Sequence, residues 1–590
     1  MDRSRFVIAA AVSLLLLGLG ASLYRLHFPP GPVADEAAYL MITQSLWHDH
    51  DLRYEEKDLA RAYQIWDQGP YGLILLTKDN GQTLFYGKPF IYPLFALPFY
   101  VAFGPQGLMI FNMALLLAVF WGAWYLLGRQ DRISGLLVAG FVFASAFFAY
   151  TFWLHPEVFN GACIFFALAA WHHARGKERP SHRDLALLAG AGVLIAAVFL
   201  SKEVLVLLGV PIGADLLLGK RWKSLAAFCA AGMLAGLLLS AYQFRATGTW
   251  SPYRDAQRSS FDKSFPLESS ERFFDTYPNT SFGSWSGINV SSTTAVFARN
   301  VGYFFVGRHA GLLPYFPFAL LALASYLFGP KDRARHLLLL AILGYSVFFL
   351  LVRPDNFHGG AGFLGNRYFA SIYPALLFLP VRWLKGGALV ATFAAAGLWT
   401  APVVMTPVQQ VAPEFGLQVH ARMPAFRALP LELTLLPWGR VPGYFLPTWQ
   451  DKLWVVPKEN FFVGEKHPDG VWVRGGSLSE IFLVSPAPVD ALRFEIGSVS
   501  AENVITLESG PERVVIVMDT PGKRVGTPVE LKPELVARNL GGFFGGSEEY
   551  YYRFELKVSD GVMPARRDKK SLDERYLGAF LRFQATAPIP

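Results

Sequence analysis

Several stretches of this 590-residue sequence stay apolar for about the length a helix needs to cross a bilayer, roughly 20 residues. That leaves few folds open. In lipid every backbone polar group must pair within the protein, so such runs pack as helices. Eleven spans are predicted, at 6–26, 107–128, 133–152, 158–173, 185–200, 204–219, 223–244, 311–329, 336–352, 368–384 and 386–406. Only 17% of residues are charged and 53% are hydrophobic, whereas soluble domains carry about 25% charged residues. Met-Asp-Arg-Ser-Arg at the start looks like the head of a signal peptide, yet the run behind it is long and no small-residue cleavage site follows. The first helix is therefore expected to be retained.

Charge sets the expected orientation. Sixteen Lys and Arg residues fall in the proposed cytoplasmic segments, among them Arg129, Arg132, Arg175, Lys177, Lys220, Lys331, Arg335 and Lys385. The short outer loops hold only Lys202, Arg353 and Arg367. This asymmetry puts the N-terminus inside and the long loops outside a cytoplasmic (inner) membrane. It requires the apolar stretch 90–104, with Pro93 and Pro98, to lie along the interface instead of crossing. The net charge of +8 is then mostly loop charge, and no nucleic-acid partner is expected. The two cysteines, Cys163 and Cys229, sit inside apolar runs, which excludes a disulfide framework or a Cys metal site. There is no internal repeat and no Walker loop.

The tail reads differently. Residues 407–469, rich in Pro and Leu, look like an interfacial linker. From about 470 the pattern has period two: Leu492, Phe494 and Ile496 alternate, as do Tyr552, Phe554, Leu556 and Val558, and Val514 to Met518 reads as a buried run. Ser509-Gly-Pro and Ser559-Asp-Gly supply turns. The expected fold is an α-helical polytopic membrane domain over 1–406, with outer loops 27–106 and 245–310, followed by an extracytoplasmic β-sandwich over 470–590.

Several polar clusters fall on the outer side. Asp35-Glu36 follows the first span; a carboxylate there can take a proton from an attacking hydroxyl, or Asp35 can simply cap a helix. Lys88, in Gly87-Lys88-Pro89, can hold a lipid phosphate as a point charge, or snorkel to the headgroups. His155 and Glu157 stand at the outer end of the third predicted span and can share a metal or position a substrate. His358, Arg367 and Tyr368 belong to a Gly-rich loop whose backbone can approach a ligand and whose arginine can grip phosphate. Arg308-His309 and Lys202-Glu203 complete the set, the latter also readable as a self-paired loop charge. The cytoplasmic loops look merely basic, so an outward-facing site is expected.

This arrangement resembles the GT-C superfamily of polytopic glycosyltransferases, including protein O-mannosyltransferases and lipid A aminoarabinose transferases. The resemblance rests on Asp35-Glu36-Ala-Ala-Tyr39, Gly87-Lys88-Pro89, the acid at the third span, Ala246-Thr-Gly-Thr-Trp-Ser-Pro252, the Arg308–Pro317 segment and the Gly359–Tyr368 segment. It covers roughly residues 1–400. Three departures stand out: Lys88-Pro89-Phe90 where many members have Lys-Pro-Pro, Glu157 where many have Asp, and a β-rich tail that is not constant. The resemblance implies inverting transfer of a sugar from a polyprenyl-phosphate donor to a glycan, lipid or protein acceptor. Asp35 would be the base, and Lys88 with Arg308 or Arg367 would stabilise the departing phosphate. Glu36 and Glu157 would bind the sugar or a divalent ion. Members differ in metal use, which leaves a Mg or Mn ion on Asp35 and Glu157 open.

Two other classes compete. A flippase for a lipid-linked glycan would need charges within the spans and repeated halves. A non-catalytic glycan-binding scaffold would make Asp35 dispensable. The sequons at Asn279 and Asn289 read as chance matches.

Overall fold

In the computed structural model the described residues are 3–23, 34–66, 69–70, 72–78, 82–128, 132–175, 179–252, 257–261, 292–360, 364–380, 385–407, 423–439, 446–447, 454–457, 460–462, 471–498, 502–518, 527–540 and 548–585, with 32, 177 and 500 singly. The chain divides into two compact units. One is Met1–Val290 with Leu312–Val352 and Asn366–Val408; the other is Ser291–Gly311 with Arg353–Gly365 and Gln409–Pro590. Most of the predicted outer loop 245–310, including both sequons, lies outside the described residues.

The first unit is a multi-spanning helical membrane domain. Among its described residues five helical stretches are long and apolar enough to cross a membrane: Ile91–Gly128, His182–Ser201, Trp222–Thr247, Arg333–Val352 and Gly386–Met405. Ile133–Phe143 and Ala146–Phe152, bent by 49°, make a sixth if taken together. The bend falls at Ser145, whose extended backbone interrupts the helix and whose hydroxyl donates back to Phe141 O at 3.0 Å.

Eleven spans were expected, and among the described residues three of them are divided at prolines. The run 204–219 is a 3-10 segment, Glu203–Gly209, then the helix Val210–Leu218 with Pro211 in its first turn. The run 311–329 splits into Leu312–Tyr315 and Pro317–Phe328. The run 368–384 becomes the short helix Arg367–Ile372 and a 3-10 segment, Tyr373–Phe378, through Pro374. Proline lacks the N–H that a continuing helix would use.

Residues 90–104 form their own helix, Ile91–Phe103, ended by Gly104 at φ +64°. The next helix, Gly107–Ala123, starts against it. A Cβ at Gly107 would lie 2.1 Å from Phe99 O, so only glycine permits this elbow. A small antiparallel sheet joins the two long segments expected to be outer loops. Its strand order is Phe85–Tyr86, Leu73–Thr77, Gln257–Phe261.

The second unit is built on a β-sandwich. One sheet runs Glu512–Met518, Asn503–Ser509, Tyr550–Val558, Ser477–Ser485, Trp454–Pro457, Leu446–Pro447, with Glu534–Arg538 also on Tyr550–Val558. The other runs Thr527–Leu531, Leu492–Ser498, Leu577–Ala585, Val471–Arg474, Phe461–Phe462. The alternating residues Ile496, Tyr552, Phe554, Leu556 and Val558 lie in the core between the sheets. Strands thus begin before residue 470, inside the segment expected to be a linker. Leu433 and Leu436 of that segment pack on Phe482, Val484 and Tyr551, on the opposite face of the first sheet. The predicted buried run 514–518 is a correction. It lies in an edge strand, Glu512–Met518, whose Val515 and Val517 are 50% and 64% exposed while Ile516 points inward.

Candidate active site

The acidic pair opens the helix Asp35–His48, and both carboxylates are buried. Asp35 is the first helical residue, and the cap is Ala34, which makes no side-chain capping bond. The N-cap reading of Asp35 therefore falls. Ala34 sits at φ +49°, ψ −110°, a conformation costly for any residue with a Cβ. It turns the chain so that Asp35 points across the fold. Asp35 Oδ1 is 2.6 Å from Lys88 Nζ, and Oδ2 is 2.9 Å from Arg367 NH2. All three side chains are at most 10% exposed.

Each partner is delivered by a different device. Lys88 follows the strand Phe85–Tyr86, and Gly87 N–H donates to Ile74 O at 2.8 Å. Arg367 begins a helix capped by Asn366, whose side chain accepts from Phe369 N–H at 2.9 Å. An arginine in a helix's first turn faces the wrong end of the dipole; two carboxylates offset this. Besides Asp35, Glu157 Oε1 lies 3.1 Å from Arg367 Nε, a charge contact without the alignment of a hydrogen bond. Glu157, fully buried, opens the helix Glu157–Ala174, where the dipole favours an acid.

The segment before Glu157 is pinned from three sides. Glu36 Oε1 accepts from Leu154 N–H at 3.0 Å, Asn112 donates to Trp153 O at 2.8 Å, and Trp153 Nε1 donates to Pro407 O at 2.7 Å. His155 stacks beside Trp153 and edge-on to Tyr39, which in turn meets Tyr92 edge-on. Lys202 follows the helix His182–Ser201 and lies over the Tyr368 ring, its Nζ 4.2 Å from the centroid. Its stem is partly exposed, yet its ammonium is buried and has no hydrogen-bond acceptor among the described residues.

Electrostatics follow from this packing. Burial works against ionised Asp35, but Lys88 and Arg367 outweigh it and hold the carboxyl well below the usual range. Burial lowers Lys202 to about 7, with the charges of Glu157 and Asp35 pulling the other way. A cavity of about 500 Å³ is walled by Pro89 and Phe90, which follow Lys88 in sequence, and by Leu200 and Glu203, close to Lys202 in sequence, with Phe199, Gln243 and Trp250.

The residues predicted for chemistry thus separate. Asp35, Glu36, Lys88, His155, Glu157, Lys202, Arg367 and Tyr368 all belong to the first unit, and contacts or mutual charge effects link Asp35, Lys88, Glu157, Lys202 and Arg367. Arg308, His309 and His358 belong to the second. There Arg308 is occupied: it bonds Glu480 at 2.6 Å and the carbonyls of Leu429 and Arg427 at 3.3 Å. His309 and Ala310 N–H both donate to Glu432 Oε1 at 2.7 Å. His358 is buried beside Phe357.

Asn160 was missed. It is buried one turn after Glu157, and neither side-chain polar atom has a partner among the described residues. An amide inside an apolar run is the signal that could have found it.

No group of three or more His, Cys, Asp or Glu among the described residues is arranged to hold a metal. Both carboxylates considered for one face Arg367, and Asp35 also faces Lys88. A divalent ion would have to displace these cations, so the site as built does not fit a metal.

No protein-family model matches the sequence, and no curated protein matches it. Among solved structures, the chain is similar to ArnT from Cupriavidus metallidurans bound to undecaprenyl phosphate: 15% identity, TM-score 0.44, 72% of this chain and 69% of that one. It is also similar to the archaeal oligosaccharyltransferase AglB from Archaeoglobus fulgidus, with an inhibitory peptide and a dolichol-phosphate: 10% identity, TM-score 0.37, 69% of this chain and 56% of that one. A third is the arabinosyltransferase EmbB from Mycobacterium smegmatis, at 11% identity and TM-score 0.34, covering 99% of this chain and 65% of that one. Against these three proteins the chain spans from just over half to about two thirds of their length.

Proposed function

We propose that this chain is a glycosyltransferase of the cytoplasmic membrane. It moves a sugar from a polyprenyl-phosphate donor to an acceptor hydroxyl at the outer face, with inversion. The observation that carries this reading is a buried carboxylate between two buried cations, Asp35 with Lys88 and Arg367; a mostly apolar cavity is lined by the sequence neighbours of Lys88 and Lys202. An anionic group on an apolar tail suits that pairing: cations for the phosphate, the cavity for the first isoprenes.

In the reaction the acceptor oxygen attacks the anomeric carbon as its proton passes to Asp35. The bond from that carbon to the phosphate oxygen breaks, and its electron pair leaves with the polyprenyl phosphate. Lys88 and Arg367 stabilise the charge that develops there, the contribution that is usually largest. Glu157 holds Arg367, and Glu36 holds the 153–157 segment in place. No nucleotide is consumed.

The test uses purified wild type and Asp35→Asn with radiolabelled polyprenyl-phosphate sugars and cell-envelope extract. Transfer by the wild type, reduced about 10²- to 10⁴-fold in the variant, is expected for loss of a general base. Equal transfer by both would remove Asp35 from the chemistry. No transfer by a folded wild type with any donor would sink the transferase reading.

A further inference from the structure

The two cations that would hold a donor phosphate are engaged with the carboxylate that would act as base. Lys88 Nζ and Arg367 NH2 take one Asp35 oxygen each, at 2.6 and 2.9 Å, in a buried setting. In that state both carboxylate oxygens are occupied, and each cation has a donor committed to Asp35. Arg367 has a second hold: its Nε edge faces Glu157 at 3.1 Å. It can therefore release Asp35 from its NH2 edge without losing its anchor. Lys202 supplies an independent sign that an anion belongs here, since its buried ammonium has no acceptor oxygen among the described residues. Such a buried, unsatisfied cation calls for a partner.

We propose that the donor's phosphate and the Asp35 carboxylate compete for Lys88 and Arg367, so that lipid-phosphate binding is the step that frees Asp35 to act as base. The identity of the anion rests on the transferase reading; the competition itself rests on the ion pairs. The consequence is an ordered enzyme. Before the donor binds, Asp35 is locked in ion pairs and cannot accept a proton. Once the phosphate draws the cations away, the carboxylate regains basicity beside the anomeric carbon. Basicity thus exists only when there is a sugar to transfer. Glu157 is a positioning residue in this scheme, the pivot on which Arg367 swings.

The competition makes an unusual prediction. A residue required for transfer should oppose binding of the donor's lipid phosphate. The probe is undecaprenyl phosphate in detergent micelles, titrated against wild type and Asp35→Asn by intrinsic tryptophan fluorescence. The variant should bind about tenfold or more tightly, within the range usual for coupled sites. Glu157→Gln should bind more weakly than the wild type, because Arg367 loses its anchor. Equal or weaker binding by Asp35→Asn would overturn the proposal.

Should that variant not fold, the wild type alone decides. In ¹³C-aspartate-labelled protein the infrared carboxylate stretch must shift when undecaprenyl phosphate is added, and an unmoved band counts against the competition. The two readings fail separately. A wild type that transfers sugar, with equal lipid affinities, removes only the competition. A wild type that transfers nothing, with a tighter-binding variant, removes only the transferase.

Discussion

Both units bury an arginine among carboxylates, and the two clusters are finished to different degrees. In the second unit Arg308 bonds Glu480 and two backbone carbonyls, and Glu480 also takes Arg553 at 2.5 Å. Paired cations hold Glu480 below its ordinary value despite burial. In the first unit two cations crowd onto Asp35, Glu157 meets Arg367 without good alignment, and Lys202 has no acceptor among the described residues. Burying charge is costly unless pairs are complete. A complete cluster therefore reads as a strut and an incomplete one as a place that waits for a ligand. Sequence motifs alone treated Arg308 and Arg367 as equivalent phosphate ligands; their surroundings separate them.

That contrast can be broken by experiment. The largest effect is expected from Glu480→Gln, which strips the counter-charge from Arg308 inside the protein. Loss of one partner of a buried pair costs about 3 kcal/mol or more, so thermal unfolding should begin several degrees lower. Sugar transfer per folded molecule should be unchanged. If transfer falls while stability holds, the second cluster is no strut.

Next comes Lys202→Met, which removes a buried ammonium. Without ligand the variant should unfold no earlier than the wild type, whereas its affinity for undecaprenyl phosphate should drop about tenfold, the scale of one charged hydrogen bond. A less stable variant with unaltered affinity would make Lys202 part of the scaffold.

The smallest effect is on pH. Burial lowers Lys202 to about 7, so its charge is present below that pH and lost above it. Relative to Lys202→Met, in which only the lipid phosphate's own second ionisation at about pH 6 acts, the wild type should therefore lose undecaprenyl phosphate affinity a few-fold as pH rises from 6 to 8. The stability linkage has the opposite sense. The unfolded lysine keeps its proton up to its ordinary value of 10.5, so folding stability contributed by this group rises between about 7 and that value.

Much of the helical unit was legible because hydrophobic run length is a local property, and so was the sandwich wherever alternation was clean, as in Tyr550–Val558. The span count was less so, since Pro211, Pro317 and Pro374 divide runs that remain apolar on average. Lys88 and Arg367 stood out as basic residues near glycines on the predicted outer side, yet their convergence on Asp35, across 332 residues in the case of Arg367, depends on tertiary packing. The partner of Arg308 is equally remote, 172 residues on in a strand with no distinguishing motif. Asn160 was hidden by the apolar residues around it.

Asp35 and Glu36 are neighbours on one helix, and successive residues of a helix point about 100° apart. Asp35 reaches Lys88 and Arg367; Glu36 reaches the backbone of Leu154. The pair therefore works like a key with two teeth, fixing how the helix is turned about its own axis as well as where it lies. Exchanging the two residues would conserve charge and composition, but each carboxylate would then meet the other's lock at the wrong length. The order of the two acids, Asp before Glu, is itself part of the design of the site.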